Sequence, residues 1–213
     1  MSAYPVAERA PAPRRLSLIV KRELDVAGAV LGLLVLAPVL LSVALAIRVT
    51  SRGPVIFRQP RAGRDHRTFT MWKFRTMVED ADRMRAELIA DLPEDTWLDL
   101  ERDPRVTRLG RILRRSSIDE LPQLVNVLRG DMSLVGPRPL PLDEHARIPE
   151  WASARVEVRP GITGLWQVAG RESIGFIDML RLDCVYVASR SLLQDLKILA
   201  RTIPAVVDGK GAK

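Results

Sequence analysis

The sequence predicts a mainly α-helical chain with short β elements, in which an N-terminal re-entrant membrane helix precedes a small cytoplasmic domain carrying interfacial amphipathic helices. Three observations carry that expectation. A run of 22 residues, Val26 to Ile47, holds no charge. Apolar residues recur at helical spacing over 105–115, 174–188 and 192–207, while the alternation expected of strands is confined to 55–63 and 67–77. Basic residues flank the apolar run on both sides.

The chain has 213 residues, enough for one domain and a short appendage. Hydrophobic residues at 47% and charged residues at 28%, with 13 glycines and 15 prolines, exclude disordered and collagen-like classes. Cys184 is the single cysteine, which excludes a disulfide framework and a thiolate zinc cluster; His66 and His145 are the only histidines, so transition-metal chemistry lacks ligands. This usage suits a reducing compartment. Residues 1–75 hold 13 Lys/Arg against 4 Asp/Glu, whereas 76–213 hold 20 against 22, so the net charge of +7 arises entirely in the N-terminal third. A basic excess concentrated around the most apolar run favours a membrane surface over nucleic acid.

As a straight helix, Val26 to Ile47 reaches about 33 Å, enough to cross a hydrocarbon core of ~30 Å. A cleaved signal peptide fits less well, because Arg48-Val-Thr-Ser-Arg-Gly-Pro follows where a small-residue cleavage site is needed. Pro38 divides the run into 12 and 9 residues, arms of about 18 and 14 Å that are each too short to cross alone. The flanks, Arg14, Arg15, Lys21 and Arg22 before and Arg48, Arg52, Arg58, Arg61, Arg64 and Arg67 after, both ask for the cytoplasmic side. A helical hairpin kinked at Pro38 satisfies them; a single span with a tolerated proline is the alternative. The expected organisation is a tail over 1–15, a membrane-embedded re-entrant helix over 16–50 and a cytoplasmic domain over 51–213.

VIFRQPRAG (55–63) and RTFTMWKFRTM (67–77) read as short strands or loops near the interface. Val78 to Ala90 reads as an exposed acidic helix. Arg105 to Arg115 sets Val106, Leu109, Ile112 and Leu113 among five arginines, an amphipathic helix whose basic face suits anionic lipid or plain solvation. In SSIDELPQLVNVLRGDMSLVGPRP (116–139), Pro122 belongs in a first turn, so the helix is expected to start near Asp119 with Glu120 in that turn. Both carboxylates then lie at the positive helix end, ionised at neutral pH, and either collect a cation or act as N-terminal caps. Farther on, Gly136, Pro137, Arg138 and Pro139, then Arg159, Pro160, Gly161 and Gly164, then Gly170 and Arg171 read as an anion site or as ordinary turns. No GxGxxG, GxxxxGK[ST] or GxSxG occurs. Two apolar helices close the chain, the first holding Cys184 as a structural thiol; Trp72, Trp97, Trp151 and Trp166 suit either the core or the interface.

Six blocks, KRELD (21–25), GPVIFRQPRAG (53–63), FTMWKFRTM (69–77), SIDELPQLVNVLRGDMSLVGPRP (117–139), RPGITGLWQVAGR (159–171) and DLKILARTI (195–203), resemble the bacterial sugar transferases, the monotopic phosphoglycosyl transferases, in order over about 16–208. The resemblance implies transfer of a sugar phosphate from a UDP-sugar to polyprenyl (undecaprenyl) phosphate at the cytoplasmic face of the bacterial inner membrane, with release of UMP, as the first membrane step of glycoconjugate or exopolysaccharide assembly. It implies a re-entrant helix broken at Pro38, an Asp-Glu dyad at Asp119 and Glu120, and magnesium. Asp119 is then the nucleophile that forms a phosphosugar intermediate, and Glu120 with Asp119 binds the metal. Lys73, Arg75 and Arg138 are candidate phosphate contacts, joined by Arg159 and Arg171, since little beyond positioning and charge neutralisation is asked of the protein. Membrane lipid is an expected partner, nucleic acid is not, and a homo-oligomer is left open. The rival readings are a non-enzymatic membrane-anchored interaction protein, with Asp119 and Glu120 only capping a helix, and a nucleic-acid binder, disfavoured because aromatics interleave with basic residues only at Phe69, Trp72 and Phe74. The blocks do not name the sugar.

Overall fold

The computed structural model describes residues 15–81, 83–84, 103–169 and 174–207. Helix α1 (Arg15–Thr50) takes up the whole apolar run and extends beyond it at both ends as one helical element, with Pro38 inside it. Proline supplies no N–H to the preceding turn. One turn on, Ser42 Oγ donates to the Pro38 carbonyl at 2.8 Å. It is the one helix among the described residues long and apolar enough to cross a membrane.

One stripe of α1 docks on the rest of the protein, and does so on both sides of Pro38. Ala29 and Leu33 join a cluster with Met71, Leu124, Val127 and Met132. Leu40, Val43, Ala44 and Ile47 join another with Phe74 and Leu113. The 3–4-residue spacing of these positions is that of one helix face. The opposite face is bare, with Leu34 70% and Leu41 72% exposed, and an apolar surface of this extent on a folded chain needs lipid or a partner to cover it. The KRELD block at the N-terminal end proves to be a polar clamp as well as a basic flank. Arg22 donates to the Val127 and Leu128 carbonyls, and Asp25 pairs with Lys21 at 2.9 Å while accepting from Ser133 Oγ and the Leu134 N–H.

After α1, β1 (Ile56–Ala62) and β2 (Thr68–Phe74) pair antiparallel, Ile56 opposite Phe74 and Ala62 opposite Thr68. These are the two alternating stretches of the sequence, folded as a single ribbon. The expected helix over 78–90 lies largely outside the described residues. Helix α2 (Arg108–Arg115) begins later than its apolar pattern suggested, because Thr107 Oγ1 accepts from the Gly110 N–H and caps it there. Arg105 is instead bound to Asp103 at 2.7 Å, and Val106 bridges to Met77. Ile112 points outward at 65% exposure while Leu113 is buried.

Helix α3 (Gln123–Arg129) leads into β3 (Ser133–Val135), which pairs in parallel with β4 (Gly161–Thr163). Gly136 and Gly161 are required by this crossing: a Cβ on Gly136 would sit 2.5 Å from the Arg159 carbonyl, and one on Gly161 2.1 Å from the Gly136 nitrogen. These two glycines therefore let backbone approach backbone. Between β3 and β4 lie the short helix α4 (Leu142–His145) and a 3₁₀ segment over Glu150–Glu157. Helices α5 (Leu165–Val168), α6 (Phe176–Ser189) and α7 (Leu192–Val207) complete the fold close to the two C-terminal segments expected. Leu180, Trp166 and Leu140 form one core cluster, and Val135, Tyr186 and Ile198 another. Cys184 is half-buried in α6 and burial raises its thiol pKa, as suits a structural role.

Candidate active site

Between α2 and α3 the chain makes a 3₁₀ turn, Ile118–Glu120, entered through Ser117 in the left-handed region at φ 54°. Its hydrogen bonds run i to i−3: Glu120 N–H to Ser117, Leu121 N–H to Ile118, Leu124 N–H to Leu121 and Val125 N–H to Pro122. Pro122 has no N–H to give to the Ile118 carbonyl, and Leu121 takes that acceptor instead, which tightens the turn and delays the helix. Helix α3 accordingly starts at Gln123 with Pro122 as its N-cap, four residues later than the expected start at Asp119. The carboxylates are thus held on a turn and not by a helix terminus.

Burial then dominates their electrostatics. Asp119 is 7% exposed, and loss of solvent raises its carboxyl pKa to about 6, with Lys73 and Arg114 pulling it down and Glu120 pushing it further up. It stays mostly ionised at pH 7, as expected, although for a different reason. No side-chain hydrogen bond or ion pair to another residue engages it among the described residues. Glu120 is bound by Lys73 of β2, Nζ to Oε1 at 2.7 Å.

Glu120 and Lys73 open into a cleft whose other walls include Arg61, Gln123, Arg138 and Trp166. Arg138 is exposed, and its guanidinium lies over the Trp166 ring, 4.9 Å from the centroid. Arg61 donates to the Pro139 carbonyl at 3.2 Å and to Gln59 Oε1 at 2.6 Å. Its Nε is buried with no partner, and burial and Arg138 together lower its pKa to about 10. Three cationic side chains from three segments converge beside two carboxylates. Such a site can grip an anion of more than one phosphate while presenting a carboxylate to it. The donors that could hold a hard cation are Asp119 and Glu120; no group of three or more His, Cys, Asp or Glu gathers among the described residues.

Residues 16–209 match the family described as bacterial sugar transferase. The chain belongs to that family. A galactosyl transferase CpsE of Streptococcus agalactiae is 43% identical over 92% of this chain and 44% of its own length. The exopolysaccharide production protein ExoY of Sinorhizobium fredii is 39% identical over 99% of this chain and 96% of its own length. A UDP-glucose:undecaprenyl-phosphate glucose-1-phosphate transferase of Caulobacter vibrioides is 46% identical over 92% of this chain and 73% of its own length. The chain therefore spans less than half of the streptococcal relative and nearly all of ExoY.

In this sugar transferase the residues singled out from sequence divide. Glu120, Lys73 and Arg138 come together at the cleft, and Asp119 lies behind its wall, adjoining Glu120 and near enough to Lys73 to feel its charge. Arg75 does not: its guanidinium is buried at the end of β2 and donates to the Ser51 carbonyl at 3.0 Å and Ser51 Oγ at 2.7 Å, tying the ribbon to the end of α1. Arg159 also stands apart, its Nε donating to the Gly130 carbonyl at 2.7 Å near Arg22 and Arg64, with burial lowering its pKa. Arg171 lies outside the described residues. Arg61, Gln123, Trp166 and Gln167 line the cleft without having been picked as site residues. Each belongs to a block that carries the resemblance, yet nothing in the spacing tells a cleft-facing side chain from a core-facing one. His66 and His145 meet, Nδ1 to Nε2 at 3.1 Å, between the β1–β2 turn and α4 and away from these walls.

Proposed function

We propose that this transferase moves a sugar 1-phosphate from a UDP-sugar to polyprenyl phosphate through a covalent intermediate on Asp119, as the first membrane step of exopolysaccharide or related glycoconjugate assembly. The observation that carries it is a buried carboxylate that no other described residue engages by a side-chain hydrogen bond or ion pair, adjoining a cleft in which Arg61, Lys73 and Arg138 converge. An Asp119 oxygen attacks the sugar-bearing phosphorus of the donor, the bond from that phosphorus to the bridging oxygen breaks, and UMP leaves with the electron pair. An oxygen of the polyprenyl phosphate then attacks the same phosphorus, the bond to Asp119 breaks, and the carboxylate is restored. Neither step needs a redox partner or a net proton from the protein. Arg138, over the Trp166 ring, suits bidentate contact with one phosphate, and Arg61 lines the same cleft. Two acidic side chains with room for water and substrate phosphates fit magnesium, which is commonly held by one or two carboxylates. Asp119 and Glu120 would hold it, and when bound it offsets the negative charge of the diphosphate. A two-step route lets one small site serve a donor from water and an acceptor from lipid in turn.

The re-entrant arrangement of α1 belongs to the same reading. Its support is that the arms on either side of Pro38 dock on one domain, Ala29 and Leu33 before and Leu40 and Ile47 after, while basic residues flank both ends. The chain then enters and leaves the inner membrane on its cytoplasmic side. The activity is tested by UMP release from a panel of UDP-sugars with polyprenyl phosphate and magnesium, and the covalent step by intact mass after donor and magnesium alone. A gain of one hexose phosphate that Asp119→Asn abolishes supports the route; kinetics that require both substrates bound together, with no adduct, overturn it. For topology, Ala10→Cys and Ala90→Cys in a Cys184→Ser background should both resist an impermeant thiol reagent on intact cells, and labelling at either from outside overturns the hairpin.

A further inference from the structure

Helix α3 carries two buried carboxamides three residues apart, Gln123 and Asn126, and they are treated in opposite ways. Asn126 is fully buried and saturated: its Oδ1 accepts from the Trp72 N–H at 3.0 Å, and its Nδ2 donates to the Thr70 carbonyl at 2.7 Å and to Asp131 Oδ2 at 3.2 Å. It locks the helix to β2. Gln123 is 3% exposed, yet among the described residues its side chain makes no hydrogen bond, and it lines the cleft beside Glu120 and Lys73, one turn on from Asp119. Its amide opens on the cleft, where a bound ligand can supply both an acceptor and a donor. A second unpartnered group, the buried Nε of Arg61, belongs to the same cleft.

The two orphans specify a ligand. Arg61 Nε asks for an acceptor only, whereas the Gln123 carboxamide asks for an acceptor and a donor together. The phosphate of UMP, once fully ionised, answers the first demand and offers the Gln123 carbonyl no donor. A phosphosugar answers both, through a phosphoryl oxygen and a hydroxyl. We propose that Gln123 is a substrate-binding residue for the sugar 1-phosphate half of the donor, its NH₂ donating to a non-bridging phosphoryl oxygen and its carbonyl accepting from a sugar hydroxyl. The inference rests on the donor reading above and adds to it the residue that distinguishes the phosphosugar from the nucleotide half.

The test measures binding and not turnover, on the full-length protein in detergent carrying Asp119→Asn to prevent reaction. UDP-glucose, UDP-galactose and UDP-N-acetylglucosamine are titrated, with UMP as the reference ligand. In that background Gln123→Met, which keeps length and removes both polar atoms, should weaken whichever UDP-sugar binds by about tenfold or more, while UMP affinity stays within about twofold. Its melting temperature should stay close to that of the Gln123-intact protein, because no hydrogen bond within the fold has been removed, whereas Asn126→Ala should melt lower. Gln123→Glu, the near-isosteric control should Gln123→Met fold poorly, keeps an acceptor but sets a second anion facing the phosphoryl group, and should weaken the UDP-sugar at least as much. Equal losses for UDP-sugar and UMP, or none for either, overturn the role of Gln123 and leave the donor reading standing. Failure of the Gln123-intact protein to bind any of the UDP-sugars overturns the donor reading and this inference with it.

Discussion

Asp119 and Asp183 are both buried aspartates whose carboxyl pKa burial raises to about 6, and the structure surrounds them differently. Asp183, in α6, receives Arg155 at 2.7 Å, and Arg155 also donates to the backbone carbonyl of Arg138. Asp119 receives no such partner; Lys73, the nearby cation, is committed to Glu120. The carboxamides of α3 repeat the pattern, Asn126 saturated and Gln123 bare. Asp183 and Asn126 hold the frame, whereas Gln123 lines the cleft and Asp119 sits on the turn beside it. The two sets also touch, because the Arg155–Asp183 pair grips the loop that presents Arg138. A bare buried charge costs stability that a partnered one partly recovers, and sites that must act on substrate are where such a cost is retained.

The contrast is broken most directly by exchanging each aspartate for asparagine. Asp119→Asn should reduce UMP release on the order of 10³-fold or more, since an amide is a poor nucleophile, with the fold intact by circular dichroism and melting. Asp183→Asn should do the reverse, destabilising by about 3–5 kcal/mol in denaturant titration because it leaves Arg155 buried without its counter-ion. Retained stability in that variant would remove Asp183 from the frame. Arg138→Lys sharpens the contrast at the loop: turnover should fall by about tenfold or more while the melting temperature holds, because a point charge cannot reproduce a fork stacked on indole. Near-normal turnover would return Arg138 to the surface.

The smallest effect is on the pH dependence of stability. Burial holds the Asp119 carboxyl above its unfolded value of 3.8, so protonation favours the folded state. That contribution is complete below about pH 4 and is lost as pH rises through about 6. Asp119→Asn should therefore melt close to the parent protein at pH 4 and a few degrees higher at pH 8, read by thermal scans in buffers matched for ionic strength. A gain independent of pH would mean that Asp119 is not a buried, ionised group. Activity should fall in acid as the nucleophile protonates, with its limb at or below about pH 6, because a cation bound beside Asp119 would favour the ionised form.

Much of the frame was legible because it depends on short-range pattern. The 22 uncharged residues around Pro38 could only be one long apolar segment, and the spacing in 174–188 and 192–207 marked helices close to α6 and α7. Pro122 was read correctly as lying near a helix start, but the consequence drawn from it was wrong by four residues: the competition between Leu121 and the missing proline N–H for the Ile118 carbonyl is settled by the geometry of the turn. Lys21 and Arg22 were counted as flanking charge, and the fold spends them on Asp25 and on the carbonyls ending α3. Arg75 and Lys73 stand two residues apart in one block and part company because β2 ends between them. The end of α1 then comes within reach of Arg75, while Lys73 stays with Glu120.

By itself the sequence determined that a charge-free helix with basic flanks must meet lipid or a partner, that transition-metal and disulfide chemistry lack ligands, and that Asp119, Glu120, Lys73 and Arg138 are the kind of residues a phosphoryl-transfer site uses. Tertiary structure alone decided which groups are satisfied. Whether Gln123 or Asn126, Asp119 or Asp183, Arg138 or Arg155 finds a partner depends on atoms far along the chain: Trp72 for Asn126, Arg155 for Asp183, and for the others the cleft between β2, α3 and the Gly136–Pro139 loop. Composition and spacing report a residue's own chemistry and its neighbours within a turn or two. Burial and hydrogen-bond satisfaction are properties of segments brought together from across the chain, and they separate a carboxylate paired within the fold from one that is not.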